Sequence, residues 1–140
     1  MELSAQNLHS YKLITTKNDT LSRANLEEKI VLLNFWFIGC YPCMKEIPEL
    51  NKIALSYKDR IMFIAISKDN SKEQINYFIK KFPFLFTQVL PNEELSKSLE
   101  ITLYPTNILF NKDGKVVFKA EGYTENNLDS LKREIEKLIK

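Results

Sequence analysis

Few side chains in this sequence are suited to binding a transition metal. Its 140 residues include only two cysteines, Cys40 and Cys43, and a single histidine, His9, which lies far from both near the start of the chain. A tetrahedral structural zinc site needs four nitrogen or sulfur ligands. Because these three residues cannot supply four, we expect no metal site, and the close spacing of the cysteines points to another chemistry.

The sequence also lacks a long apolar run, a strong excess of one charge and any internal repeat. Hydrophobic residues make up 44% and charged residues 27%, a composition typical of globular proteins that excludes long disorder and a membrane span. Twenty basic and 18 acidic side chains leave a net charge of +2, too small to indicate nucleic-acid binding. We expect one domain over residues 1–140, with a core that needs no structural metal.

The opening segment gives no targeting signal of the secretory type. Residues 1–12 read MELSAQNLHSYK, in which polar residues interrupt every apolar stretch. We therefore expect either a cytoplasmic protein or one from which a targeting segment has been removed.

Hydrophobic periodicity predicts strands that alternate with helices, followed by a hairpin and a last helix. A short hairpin is expected within Tyr11–Arg23, ahead of the main sheet, and Pro48 is expected to kink the first long helix. This order predicts an α/β fold with a central mixed β-sheet flanked by helices on both faces. The expected main elements are strands over 30–37, 61–66, 86–90, 106–111 and 115–120, and helices over 42–57, 71–82, 92–99 and 124–139.

The most informative motif is Cys40-Tyr41-Pro42-Cys43, which closely follows the apolar run Ile30–Phe37. A strand ending there and a helix beginning there would place Cys40 where free N–H groups and the helix dipole stabilise a thiolate. This arrangement indicates redox chemistry. A peroxidase is less favoured, because Phe37 stands where such enzymes usually carry threonine. A purely structural disulfide is disfavoured, because so short a loop removes little entropy from the unfolded chain.

Three segments together carry a family resemblance. They are Leu33-Asn34-Phe35-Trp36, the stretch CYPCMKEIPEL over 40–50, and Tyr104-Pro105-Thr106. From about Tyr11 to Lys140 the chain resembles the thioredoxin superfamily, specifically its TlpA/ResA-like branch, in which the third segment looks like the cis-proline loop. The resemblance implies a thioredoxin fold extended by the N-terminal hairpin. It also implies a thiol-disulfide oxidoreductase whose redox-active disulfide is Cys40-Cys43 and which needs no organic cofactor.

The resemblance further implies roles for individual residues. Cys40 would be the attacking sulfur and Cys43 the buried resolving sulfur. Glu46 would exchange a proton with Cys43, although a surface glutamate favoured by the helix dipole is an equally good interpretation. A core aromatic is the alternative for Trp36, and an ordinary trans turn is the alternative at Pro105. The residues expected to contact substrate are Trp36, Tyr41, Pro42, Tyr104 and Pro105.

Two residues depart from the patterns of related proteins. Asn34 occupies the position at which cytosolic thioredoxins hold a buried aspartate, and an amide cannot carry a proton, so any relay must use Glu46 or water. Gly39 stands where many relatives place an aromatic residue, which predicts a more open surface beside Cys40.

The expected partners are disulfide-containing client proteins and a thiol-disulfide electron donor. Reduction of clients is the favoured direction, and the resemblance implies an extracytoplasmic location, periplasmic or membrane-tethered. The rival hypothesis is a non-catalytic binding module that holds a partner, or copper(I), through the two cysteines. Copper would require a further donor, for which Met44 and His9 are the candidates.

Overall fold

The structure is a computed structural model in which residues 7–140 are described, so half of the leading segment discussed above, residues 1–6, lies outside the described part. A 3₁₀ turn over Leu8–Ser10 precedes the main elements. The strands are β1 Leu13–Ile14, β2 Thr20–Leu21, β3 Ile30–Trp36, β4 Ile61–Ser67, β5 Thr87–Val89, β6 Thr106–Phe110 and β7 Val116–Glu121. The helices are α1 Arg23–Leu26, α2 Tyr41–Tyr57, α3 Lys72–Lys81, α4 Glu93–Ser98 and α5 Glu125–Ile139.

The main sheet is mixed, as predicted. Its strand order is β5-β4-β3-β6-β7, with β3, β4 and β5 parallel and with β6 and β7 antiparallel to their neighbours. The predicted hairpin is a separate antiparallel pair, β1 and β2. All seven residues of β3 are buried, which agrees with its nearly continuous apolar sequence and its central position.

Alternation along β3 divides the core into two parts. Leu32 and Trp36 belong to a cluster that packs against α2, α3 and α5. Leu33 and Phe35 belong to a second cluster, covered by α4 and by the N-terminal segment. Because successive side chains of a strand point to opposite faces, one buried strand supports both layers. Helices therefore cover both faces of the sheet, as the sequence predicts.

Two local expectations are corrected. Arg23 begins α1 rather than ending the hairpin, since Ser22 precedes the helix and its N–H donates to Asn25 Oδ1 at 2.9 Å. The helix expected over 71–82 stops short of Phe82, whose side chain is exposed. Helix α3 ends at Lys81, and the extended backbone of Phe82 takes its side chain out of the helical periodicity.

Pro48 lies inside α2, and the kink expected there stays a prediction.

Across residues 7–140, none of the helices has the combination of length and apolar character that crossing a bilayer requires.

We expect the stability of the fold to depend on the inner face of α2. Leu50 is fully buried, whereas Leu55 in the same helix is 60% exposed. Leu50→Ala should lower the free energy of unfolding by about 2–5 kcal/mol, because it leaves a cavity. The matched variant Leu55→Ala should change it by less than about 0.5 kcal/mol. Urea denaturation followed by circular dichroism measures both, and equal losses would contradict the assignment of this face.

Candidate active site

The two cysteines lie at the junction between β3 and α2. Cys40 is the N-cap residue of α2, and it forms a disulfide with Cys43, one turn into the helix, with the two Cα atoms 5.2 Å apart. The N–H of Cys43 donates to Cys40 Sγ at 3.3 Å. Pro42 carries no N–H, so the donor that reaches the sulfur comes from Cys43. A backbone donor and the helix dipole both favour a thiolate on Cys40 once the disulfide is reduced.

Access to the disulfide comes from the side of Cys40. Cys40 is 4% exposed and Cys43 is 1% exposed, which is the order expected for an attacking and a resolving sulfur. Tyr41, 70% exposed, and Pro42, also exposed, border the pair and are placed to contact a bound segment. The disulfide is therefore reached through the small exposed part of Cys40.

The loop before Cys40 is held from the end of β4. The N–H of Ile38 donates to Asn70 Oδ1 at 3.0 Å, and Ser67 Oγ donates to the same oxygen at 2.8 Å. Gly39 has φ +97°, a conformation that other residues rarely adopt, although no atom lies within 4 Å of where its Cβ would be. Backbone conformation thus accounts for glycine at this position. Sequence reasoning missed Asn70, because a polar residue after a strand gives no sign of which loop it binds.

The Tyr104–Pro105 segment lies beside this loop. Thr106 pairs with Phe35, so Pro105 precedes β6 next to the end of β3, and the Tyr104–Pro105 peptide bond is cis. The rings of Tyr104 and Phe37 meet edge to face with centroids 5.5 Å apart. Lys68 Nζ lies 5.4 Å from the Tyr104 ring and 5.3 Å from the Phe37 ring. The structure therefore brings together the two segments that the sequence assigned to substrate contact.

Trp36 requires a correction. It has no exposed surface, and its ring packs against Phe78 at 5.2 Å and Phe84 at 5.4 Å between centroids. A substrate cannot reach a side chain buried in this way, so the expectation of substrate contact does not hold in this conformation. The alternative interpretation, a core aromatic beneath the active-site loop, describes its position.

Glu46 is buried on the inner face of α2. It lies three positions after Cys43, on the same face of α2, and only 2% of it is exposed. Desolvation raises the pKa of its carboxyl to about 7, against the opposing effect of hydrogen bonds from Asn107 and Asn34. A surface glutamate is therefore excluded, and the carboxyl can hold or release a proton near neutral pH.

Two amides contact this carboxyl. Asn34 Nδ2 donates to Glu46 Oε1 at 3.3 Å, and Asn107 Nδ2 donates to Glu46 Oε2 at 3.0 Å. Asn34 Nδ2 also donates to Asn107 Oδ1 at 2.8 Å, which closes a ring of three side chains. Sequence reasoning noted Asn34 but missed Asn107, whose only signal was a polar residue in the apolar strand Thr106–Phe110.

Of the two further donors considered for copper, Met44 follows Cys43 directly in the chain, whereas His9 is not near the cysteines. Among residues 7–140, no group of three or more His, Cys, Asp or Glu side chains is arranged to hold a metal ion. A Cβ on Gly114 would lie 2.8 Å from the ring of His9, in the turn that joins β6 to β7. That turn is at the end of β6 remote from Pro105, so His9 cannot join Cys40 and Cys43.

Comparisons with known proteins agree with this architecture. A sequence model described as thioredoxin-like matches residues 27–116. The protein named thiol-disulfide oxidoreductase ResA of Bacillus thuringiensis subsp. konkukian is 31% identical over 114 residues, 80% of this chain and 62% of that protein. The thioredoxin-like protein YneN of Bacillus subtilis is 25% identical over 79% of this chain and 67% of its own length. The chain thus spans about three fifths of the length of that ResA relative.

Solved structures confirm the predicted fold. A putative thiol:disulfide interchange protein DsbE from Chlorobium tepidum superposes with a TM-score of 0.83 at 21% identity, covering 93% of both chains. A putative protein disulfide isomerase from Bacteroides thetaiotaomicron gives a TM-score of 0.82 at 26% identity, over 91% of this chain and 84% of that one.

The raised pKa of Glu46 predicts a specific dependence of stability on pH. Between its ordinary value of 4.5 and about 7, the folded protein holds a proton that the unfolded chain has released. The free energy of unfolding must therefore fall as the pH rises through this range. The part of this loss that is due to Glu46 amounts to roughly 3 kcal/mol. Glu46→Gln is neutral throughout and should lack this component.

Urea denaturation of the oxidised protein between pH 4.5 and 8 measures this dependence. The difference in unfolding free energy between wild type and Glu46→Gln isolates Glu46 from the other titrating groups. It should shift in favour of the variant as the pH rises. A difference that stays constant over this range would show that Glu46 titrates as an ordinary carboxyl.

Proposed function

The chain belongs to the thioredoxin-like family, and on that premise we propose that it is a thiol-disulfide oxidoreductase that reduces disulfides in client proteins. The observation that carries this proposal is the Cys40–Cys43 disulfide at the N-terminus of α2, beside the Tyr104–Pro105 segment. A relative named thiol-disulfide oxidoreductase, 31% identical, supports it.

The reaction proceeds by two thiolate exchanges. In the reduced enzyme, the Cys40 thiolate attacks one sulfur of a client disulfide, which forms a mixed disulfide and releases the other client sulfur as a thiolate. Cys43 then loses its proton and attacks Cys40 Sγ, which forms the Cys40–Cys43 disulfide and releases the second client thiolate. The client gains two electrons and the enzyme loses two. A dithiol donor restores the reduced enzyme by the same steps in reverse.

Glu46 supplies the acceptor for the Cys43 proton. Glu46 is buried on the same face of α2 as Cys43, and its carboxyl has a pKa of about 7. These properties suit a group that takes a proton from a thiol and later returns it to solvent. Asn34 and Asn107 have no proton to exchange and hold the carboxyl instead. The exposed Tyr41 and Pro42, with the half-buried Tyr104, form the surface on which the client segment rests, whereas Pro105 is itself buried beside them.

The expected clients are proteins with an exposed disulfide that can reach Cys40 beside Tyr41, Pro42 and Tyr104. An extended segment of a client can hydrogen-bond the backbone at Tyr104. Pro105 has no N–H, so it places no backbone donor near the sulfurs. We place the protein outside the cytoplasm, as the ResA-like resemblance implies, and fractionation of its native cells tests that location.

Variants of the two cysteines test the proposal. Wild type should reduce insulin with dithiothreitol as the donor, whereas Cys40→Ser and Cys43→Ser should fall to the uncatalysed rate. Cys43→Ser should in addition trap a mixed disulfide with the client, because the attacking sulfur remains and the resolving one is gone. Non-reducing electrophoresis and mass spectrometry detect that adduct. Cys40→Ser is the matched control and should trap none.

The alkylation rate of Cys40 distinguishes this function from the binding module. In the reduced Cys43→Ser variant, iodoacetamide should react with Cys40 at pH values where a free thiol is still protonated. A wild-type protein that leaves insulin oxidised, together with a Cys40 that reacts like a free thiol, would favour the non-catalytic alternative.

A further inference from the structure

A closed ring of hydrogen bonds joins three buried side chains, Glu46, Asn34 and Asn107. In the proposed reaction only the Glu46 carboxyl exchanges a proton. We propose that the two asparagines form a reversible relay of hydrogen bonds, which carries no proton itself, and that rotation of the Asn107 amide lets it hold the Glu46 carboxyl both with and without its proton. The inference rests on the proposed function, because it concerns the proton that Cys43 gives up. Asn107 acts through Glu46 and is therefore a positioning residue.

The arrangement in the structure is that of the ionised carboxylate. Each oxygen of Glu46 accepts one N–H, from Asn34 at 3.3 Å and from Asn107 at 3.0 Å, and the third bond joins the two amides. A carboxylate accepts hydrogen bonds and cannot donate them. Two bonds to the carboxylate thus favour the charged form, against the desolvation of a carboxyl that is 2% exposed.

A protonated Glu46 needs an acceptor, and rotation of the amides provides one. A half turn of the Asn107 amide exchanges its nitrogen and oxygen, so that its Oδ1 can accept the O–H of Glu46. Its Nδ2 then faces Asn34, and a half turn of that amide presents Oδ1 as the acceptor. Asn34 then no longer donates to Glu46 Oε1, so the protonated carboxyl is held through Oε2 alone. In the present arrangement Asn34 Oδ1 is buried and accepts no hydrogen bond from the described residues. Because an amide has nearly the same shape after rotation, the pocket need not repack.

The register of the sheet provides the space for this ring. Asn34 pairs with Asn107 on one side and with Ala65 on the other, and Asn107 pairs with Ala120. Paired residues share a face, so two small methyl groups flank the two amides. Larger side chains in either alanine position would crowd the amides and hinder their rotation.

Burial raises the pKa of Glu46, the hydrogen bonds of the ring lower it, and no interaction with a charged group shifts it. Strands β3 and β6 each present an amide to the carboxyl, and among residues 7–140 no charged side chain forms a hydrogen bond or ion pair with it. On its own helix, α2, the nearest titratable groups along the chain are Cys43 when reduced, Lys45 and Glu49, and no charged group contributes to the raised pKa of Glu46. Loss of Asn107 should therefore act on Glu46 directly.

The experiment compares the pH profile of insulin reduction for Asn107 variants, both in the wild-type protein and in the Glu46→Gln variant. Asn107→Leu removes the donor to Oε2 at similar volume, so Glu46 stays protonated to higher pH and the rate should rise about one pH unit later than in wild type. In Asn107→Thr, a hydroxyl can still donate or accept, so the shift should be smaller. In a Glu46→Gln background, Asn107→Leu should leave the profile unmoved.

Ile108→Val is the matched control. Ile108 lies in the same strand but in the cluster on the opposite face, so this variant disturbs β6 without touching the ring. Its profile should coincide with that of wild type. A loss of rate that is equal at every pH in Asn107→Leu, or a shift that persists with Glu46→Gln, would overturn the relay and leave Asn107 a packing residue.

A second measurement is independent of catalysis. In the oxidised protein, carbon NMR of labelled glutamate carboxyls gives the titration of Glu46 directly, and Asn107→Leu should move its midpoint upward by a similar amount. If wild type does not reduce insulin, the proposed function fails, yet this midpoint still tests the relay. An unmoved midpoint in a folded variant would overturn the relay even if catalysis is confirmed.

Discussion

The burial of β3 on both faces is the constraint on which the site depends. Its seven residues form the centre of the sheet, and their alternation fixes which side chains meet α2 and which meet α4. The end of this strand brings the cysteine loop to the surface, and its antiparallel pairing with β6 brings Pro105 to the same edge. A strand so fully enclosed cannot shift its register without exposing apolar side chains, so the position of the disulfide is set by packing.

The same enclosure gives Glu46 an unusual environment for an acidic group. An ionised carboxylate without water is strongly disfavoured unless it is hydrogen-bonded. In this protein two neutral amides provide those bonds, and they leave desolvation as the largest influence on the pKa of Glu46. A partner such as lysine would have fixed the charge and removed the capacity to exchange a proton near neutral pH. The polar ring is thus suited to reversible proton exchange, at the expense of stability above neutral pH.

The sequence was sufficient to predict the mixed sheet, the helices on both faces and the placement of the cysteine pair. These features depend on local periodicity and on a motif read within a few residues. It was not sufficient for Asn107 or Asn70, because their partners lie 61 and 32 positions away and depend on strand register and loop packing. The burial of Trp36 could not be separated from substrate contact for the same reason. The catalytic roles of the individual residues stay predictions.

The asparagine at position 34 and the acidic residue Glu46 on α2 are linked by electrostatics. Asn34 stands where the resemblance to cytosolic thioredoxins would place an aspartate, and in this chain the acid lies on α2 instead, on the same face as Cys43. An aspartate at 34 would have put two carboxyls within about 3.3 Å of each other, as the Asn34–Glu46 distance shows. Like charges so close in a buried site cannot both ionise. An amide at this position avoids that conflict and donates to the remaining acid, so the pairing of asparagine on the strand with glutamate on the helix is one solution to a single electrostatic problem.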